Sequence, residues 1–441
     1  MARVIPFRGL LYDPETIKEL KDVVTPPYDV ISPEEQDAFY KSHPQNVIRL
    51  ILGKEYPTDS ETENWYVRAA AEFEKWQTSN ILVRDMEPAL YFTEMDYSVQ
   101  GRRVTRCGLI ALVGLEDFAN GVILPHERTF SATKVERLRL METCHANFCP
   151  IFSLYSDREN RIISRLKQAI AGKSPDVAFE DQDGFSHRLW RITDPGVIDT
   201  VSTDILDKPL YIADGHHRYE TALNYRNRRI AEDPDLAEDA SCRYVMMYLS
   251  SMHDPGLTVL PAHRLVNDLP EDRLSTFLDR ASTFFDAETF NGADRNKTET
   301  AFLDNLQSNA KAGNAIGVFI KGKDAFSVLR LREGVMEHLF GDKLPKPLKR
   351  LDVTILTQVI LKKILELTEK DLDDKYKISY TSKLSNAIEA VRRQKSAVAF
   401  IMNPTKIEQV QEIADARLIM PRKSTYFYPK VVTGIVLNKI D

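Results

Sequence analysis

The chain has 441 residues, 43% hydrophobic and 28% charged, with a formal net charge of -6, so it is too long for one ordinary core and predicts two or three domains. The acidic balance removes the usual footprint of a nucleic-acid binder, and no apolar stretch approaches the ~20 residues of a membrane span. The N-terminus lacks the pattern of a secretory signal, and Cys107, Cys144, Cys149 and Cys242 form no C-x-x-C pair or evident disulfide framework, which together fit a cytoplasmic protein.

In chain order, Val4 to Leu11 reads as an extended run. A proline-marked loop, TPPYDV, follows and places Tyr28 and Asp29 after the rigid Pro26-Pro27 pair. Ser32, Pro33 and Glu35 form a capping box with proline at the first helical position. Val47 to Leu52 reads as a strand. Ser60 and Glu63 repeat the capping signature ahead of a helix with Trp65, Ala69, Phe73 and Trp76 close to one face. ALYFTEMDYSV and RRVTRCGLIALVGL flank a Gln100-Gly101 hairpin turn. ILPHERTFSATK leads to a helix over about Val135 to His145. A buried strand PIFSLYS, a helix from Arg158 to Ala171 and strands around Asp183-Gly184 precede KPLYIADGHHRYETALNYRNRR. RYVMMYLSSM and LTVLPAHRLV read as strands, LPEDRLSTFLDRASTFF as a helix, and Ile316 to Leu331 as a hairpin. LDVTILTQVILKKILEL is strongly helical, AVAFIMNP is a strand, and Leu418 to Met420 reads as another strand before a final one. Strands and helices alternate irregularly, with hairpins among them. This predicts an α+β fold of mixed sheets with flanking helices, divided at a composition shift into domains 1–265 and 266–441.

Chemistry-bearing residues cluster in four places. ADGHHRYETA carries Asp214, Gly215, His216, His217 and Arg218 between an apolar run and a helical pattern. Gly215 allows a turn, and a helix starting near His217 would offer its N-terminus to an anion. Arg218 adds a cation suited to phosphate, while Asp214 would hold a metal ion, orient a His or take a proton. MPRKSTYFYPK puts Lys423, Ser424 and Thr425 in a stiff turn after Arg422. PHERTF carries His126 and Glu127 without the second His of a zincin motif. Asp29 is the fourth. Taken singly, each has a bland alternative as a cap, a solvated basic turn or a charged loop. The first three are expected to line one cleft. Neither a Walker loop nor G-x-G-x-x-G occurs.

ADGHHRYETA, PHERT and MPRKSTYFYPK together resemble the domain of unknown function 1015 family over nearly the whole chain. Arg422 departs from the Gln expected there. More remotely, D-G-H-H-R is similar to the phosphate-binding turn of the ParB/sulfiredoxin superfamily, and most to its free-serine kinases. That resemblance implies a ParB/sulfiredoxin-like core in the N-terminal domain and a nucleotide, ATP or ADP, held with magnesium at Asp214. Phosphate binding would fall to Gly215, His216, His217 and Arg218, with Lys423, Ser424 and Thr425 of the C-terminal domain closing over it. Transfer to a small hydroxyl metabolite such as free serine would need a base, for which Asp29 and Glu127 are the candidates beside Asp214 and His216. Two alternatives stand beside this kinase reading: a nucleotide-binding switch or partner module without chemistry, and a metal-dependent hydrolase using His126, Glu127, His216 and His217. A His where sulfiredoxins carry their reactive cysteine argues against that activity. The oligomeric state is not legible.

Overall fold

Turn and cap chemistry sets many of the boundaries in the computed structural model, which describes residues 1–129 and 131–441. Gln100 and Gly101 both take positive φ (50° and 74°), the geometry that joins strands Leu90–Val99 and Arg102–Gly114 without splaying them. Ser32 accepts the Glu35 N–H while the Glu35 side chain accepts the Ser32 N–H, opening the Pro33–Ser42 helix as the capping box predicts.

Two units make up the chain. The first comprises residues 1–125, 129–257 and 429–441. Its main sheet has nine strands, running Ile123–Leu124, Leu210–Asp214, Ile151–Tyr155, Tyr244–Ser251, Arg102–Gly114, Leu90–Val99, Ser186–Ile192 and Val177–Glu180, with Val4–Ile5 added on the Arg102–Gly114 strand. The sheet is mixed: Ile151–Tyr155 is parallel to Tyr244–Ser251 and antiparallel to Leu210–Asp214. Alternate side chains of these strands pack against helices Arg161–Ala169, Pro195–Leu206 and His216–Glu232. A separate core gathers around the Trp65–Thr78 helix, whose Trp65, Ala69, Phe73 and Trp76 are buried together as their spacing predicts. The last residues are woven into this unit: Leu437 and Leu10 exchange backbone hydrogen bonds, as do Thr433 and Thr25.

The second unit comprises residues 126–128 and 258–428. Its sheet is antiparallel throughout, in the order Phe285–Phe290, Phe326–Leu331, Ala315–Ile320, Val398–Ile401, His263–Val266 and Ile378–Thr381. One cluster on it includes Val353, Ile360 and Ile364 of the helical 352–364 run; a second is built on Phe302 and Leu306 of the Arg295–Ala312 helix. The α+β expectation is therefore met. Among the described residues no helix is long and apolar enough to cross a membrane.

Three local expectations are corrected. Ile48–Ile51 is a helical turn rather than a strand, because Asn46 accepts the Ile48 N–H and turns the chain; a short buried apolar run carries no period of its own. The long helix is capped by Asn64, which accepts from Tyr66 and Val67, whereas Ser60 only closes the preceding turn on Glu63. Residues 418–420 form no strand; the Met420 N–H is spent on the His126 carbonyl, and Pro421 follows.

Gly108 tests the packing of the first unit. A Cβ there would lie 2.0 Å from the buried Tyr248 ring, which itself packs edge-on against Phe152. Gly108→Ala should cost about 1–3 kcal/mol of stability through overpacking. Gly313→Ala, with nothing within 4 Å, should leave the denaturant midpoint nearly unchanged. Equal midpoints for the two variants would contradict this packing.

Candidate functional site

The D-G-H-H-R element sits where strand Leu210–Asp214 turns into helix His216–Glu232. The strand register shifts between Ile212 and Asp214, a local bulge that re-aims the end of the strand. Gly215 then takes φ 96°, a left-handed conformation open to glycine at little cost. A Cβ at Gly215 would also sit 2.8 Å from Arg218 Nε, because the Arg218 side chain folds back over the turn. The predicted tight turn, with Arg218 in the first turn of a helix, is present. The helix carries no side-chain cap at its N-terminus, so its dipole faces the turn without a carboxylate or hydroxyl from the preceding residue.

Asp214 holds this turn together. One carboxylate oxygen accepts from Arg218 Nη2 at 2.5 Å, and the other accepts from Lys430 Nζ, delivered by the C-terminal segment. The three side chains are only 13%, 10% and 14% exposed. Burial would raise the Asp214 pKa, but Lys430 and Arg218 outweigh it and hold the carboxyl well below the usual range. Arg218 Nη1 donates to the Pro150 carbonyl, so both terminal nitrogens of the guanidinium are engaged inside the protein. Arg218 therefore acts through charge and position rather than as an open phosphate fork. Asp214, to which the magnesium role was expected to fall, has each of its carboxylate oxygens engaged by a cation. Among the described residues no three His, Cys, Asp or Glu side chains are grouped so as to hold a metal ion.

Asp29 belongs to the same unit. The Tyr28–Val30 turn follows Pro27, Asp29 is exposed, and its charge acts on Arg218. Tyr28 stacks under Arg137, whose guanidinium lies 4.0 Å from the ring centroid. The Tyr28 hydroxyl is pushed above its ordinary pKa by burial first and Asp29 second, with Arg137 and Arg218 opposing. Cys149 lies beside them; burial pushes its thiol up while Arg218 pulls the other way. Tyr28, Arg137, Cys149, Arg218 and Thr221 border one cleft. His216 is buried and His217 half-buried on the first helical turn. Glu220, one turn on, accepts from Lys134 and from Thr129.

His126 and Glu127 belong to the second unit and meet the 423–425 turn there. His126 Nε2 lies 3.0 Å from Thr425 Oγ1, and Glu127 Oε1 accepts the Lys423 N–H at 3.0 Å. Lys423 has φ 54°, so Glu127 steadies a left-handed turn. Ser424 is buried, and its hydroxyl donates to the Pro421 carbonyl. Of the residues expected to form one cleft, two groups thus join within the second unit, and 214–218 belongs to the first. Phe130, the end of the PHERTF motif, lies outside the described residues. Sequence reading missed Lys430, Cys149 and Thr221. Lys430 and Thr221 lie in motifs already singled out, MPRKSTYFYPK and ADGHHRYETA, which was the available signal; Cys149 gave none.

Asp214→Asn leaves two buried cations without their carboxylate and should cost about 3–5 kcal/mol. Because the folded pKa of Asp214 is depressed, its contribution is present above the unfolded carboxylate pKa of about 3.9 and is lost as pH falls through the lower folded value. Urea unfolding from pH 7 to pH 3 should show a gap between wild type and variant that is constant near neutrality and narrows below about pH 4. A gap that widens on acidification would contradict the clamp.

No curated protein matches the sequence. Among solved structures, a free serine kinase in complex with AMP is similar at 11% identity over 69% of this chain and 83% of that one, with a TM-score of 0.33. A conserved hypothetical protein from Pyrococcus furiosus shares 12% identity over 70% of this chain and 89% of its own, also with a TM-score of 0.33. C-terminally truncated SbnI from Staphylococcus aureus shares 9% over 74% and 85%, with a TM-score of 0.34. A family model described as a protein of unknown function, DUF1015, matches residues 4–354, which include the D-G-H-H-R turn, and the chain belongs to that family.

Proposed function

We propose that the chain is a nucleotide-dependent phosphotransferase acting on a small hydroxyl metabolite, with free serine as the acceptor singled out by the motif resemblance. The observation that carries this reading is the Asp214–Arg218 turn. A bulged strand end, a glycine at φ 96° and a helix start without a side-chain cap lie beside three buried or half-buried cationic side chains, Arg218, Lys430 and Arg137. Phosphoryl transfer demands positioning and charge neutralisation above all, and a helix N-terminus flanked by cations supplies both.

In this reading the backbone of the first turn of the His216–Glu232 helix and the imidazoles of His216 and His217 bind phosphate oxygens. The bound nucleotide supplies the phosphoryl group. Arg218 and Lys430, held by Asp214, set the positive field from behind the turn. Gly215 takes the positive φ of the turn and leaves room for the Arg218 side chain that a Cβ would obstruct. Asp29 is assigned the acceptor's proton, because it is the exposed carboxylate whose charge acts on Arg218 within the same unit. Glu127 is relieved of that role, since its carboxylate steadies the Lys423 turn. No step is assigned to a protein-bound metal.

Asp29→Asn keeps the shape of the loop and removes the base. It should lower phosphotransfer by roughly 10²–10⁴ while leaving nucleotide affinity nearly intact. The check pairs isothermal titration of ATP and ADP with a coupled transfer assay on serine and other small alcohols. Nucleotide binding without transfer to any acceptor, in wild type, would turn the reading into that of a binding module. Absence of ATP and ADP binding would overturn it altogether.

A further inference from the structure

The cleft bordered by Arg137, Arg218 and Thr221 has a division of labour that the phosphate turn does not explain. Most of its wall is apolar, made by Ile51, Leu140, Met141, Phe148, Ile151 and Val245. Two guanidiniums nevertheless line it, those of Arg137 and Arg218, and both are largely buried. Arg137 Nη1 donates to the Ile51 carbonyl at 2.6 Å and Nη2 to Glu136, yet its buried Nε has no partner. Thr221, 1% exposed and on the helix turn after Arg218, lines the same cleft with a buried hydroxyl that also has no partner. A buried donor left unmade costs free energy, so two of them in one cleft point to a group that completes them.

Charge indicates the kind of group. Arg137, Arg218 and Lys430 are withdrawn from water, and Asp214 is the carboxylate withdrawn with them. Glu136 is 40% exposed and Asp29 is exposed, so solvent and salt screen their contribution. The buried balance favours an anion. Guanidinium suits a planar carboxylate, and the apolar wall suits a hydrocarbon body next to it.

We infer that this cleft binds a small organic carboxylate with an apolar body, its acid group directed to Arg137 and Thr221. Describing that molecule as the phosphoryl acceptor rests on the phosphotransferase reading; its binding does not. On that reading it extends the acceptor class from free serine to hydroxy acids with a bulkier and less polar side chain.

The test titrates the full chain, without nucleotide, with lactate, 2-hydroxybutyrate, 2-hydroxyisovalerate and 2-hydroxyisocaproate, and with the amide of the last. Affinity should rise about threefold to fourfold per added methylene, and the amide should bind at least tenfold more weakly than its acid. Thr221→Val retains the shape and removes the unpartnered hydroxyl. It should weaken the tightest acid about three- to tenfold while leaving the melting temperature unchanged or higher, an outcome that a merely structural hydroxyl would not give. A flat affinity series, an amide equal to its acid, or undiminished binding by Thr221→Val would each overturn the inference and leave nucleotide binding untouched. Carboxylate binding in a chain that fails to bind ATP or ADP would sustain the inference while removing the kinase reading.

Discussion

The first unit turns on one buried carboxylate. Asp214 accepts from Arg218, four residues on, and from Lys430, more than two hundred residues on. A lone buried charge is expensive, and a buried pair is repaid only when its remaining hydrogen bonds are met. Here Arg218 finds the Pro150 carbonyl as well, so the strand end, the first helical turn, the start of Ile151–Tyr155 and the C-terminal segment meet at one point. Arg106, fully buried over the Phe152 and Tyr248 rings, ties the same segment down by donating to the Pro429 carbonyl.

This arrangement changes the meaning of the cationic residues. An arginine in a motif of this kind suggests a hand extended to a phosphate. Burial and its two acceptors, Asp214 and the Pro150 carbonyl, assign Arg218 instead to holding the turn. The same holds for the second unit. His126 and Glu127 look like acid/base groups, but the tertiary structure spends them on Thr425 and on the Lys423 N–H. Charged and hydroxylic residues serve equally well as joints between segments and as chemistry, and the partners each already holds separate the two uses.

The cleft beside the turn shows the converse. Cys149 carries no motif, yet the fold places it with Tyr28, Arg137, Arg218 and Thr221 on a largely apolar wall. A polar end on an apolar slot is a common composition for small-molecule sites. The Arg137 guanidinium over the Tyr28 ring keeps that end rigid, and the proline pair before Tyr28 fixes the loop that carries Asp29.

Local chemistry alone determined a good part of this protein. The Gln100-Gly101 and Asp183-Gly184 turns, the Ser32 capping box, the Trp65–Trp76 face and the strand–glycine–helix form of D-G-H-H-R are all set by residues within a few positions of one another, so the sequence displays them directly. Where a short segment lacked a period, as at Ile48–Ile51, the sequence was ambiguous and a neighbouring side chain decided. The site itself was legible only in part. Asp214 to Arg218 and Asp29 stood out by composition, but which atoms remain available to a ligand depends on long-range partners. Lys430, Pro150 and Arg137 come from distant parts of the chain, and only their packing determines which charges are buried together and which buried donors lack a partner.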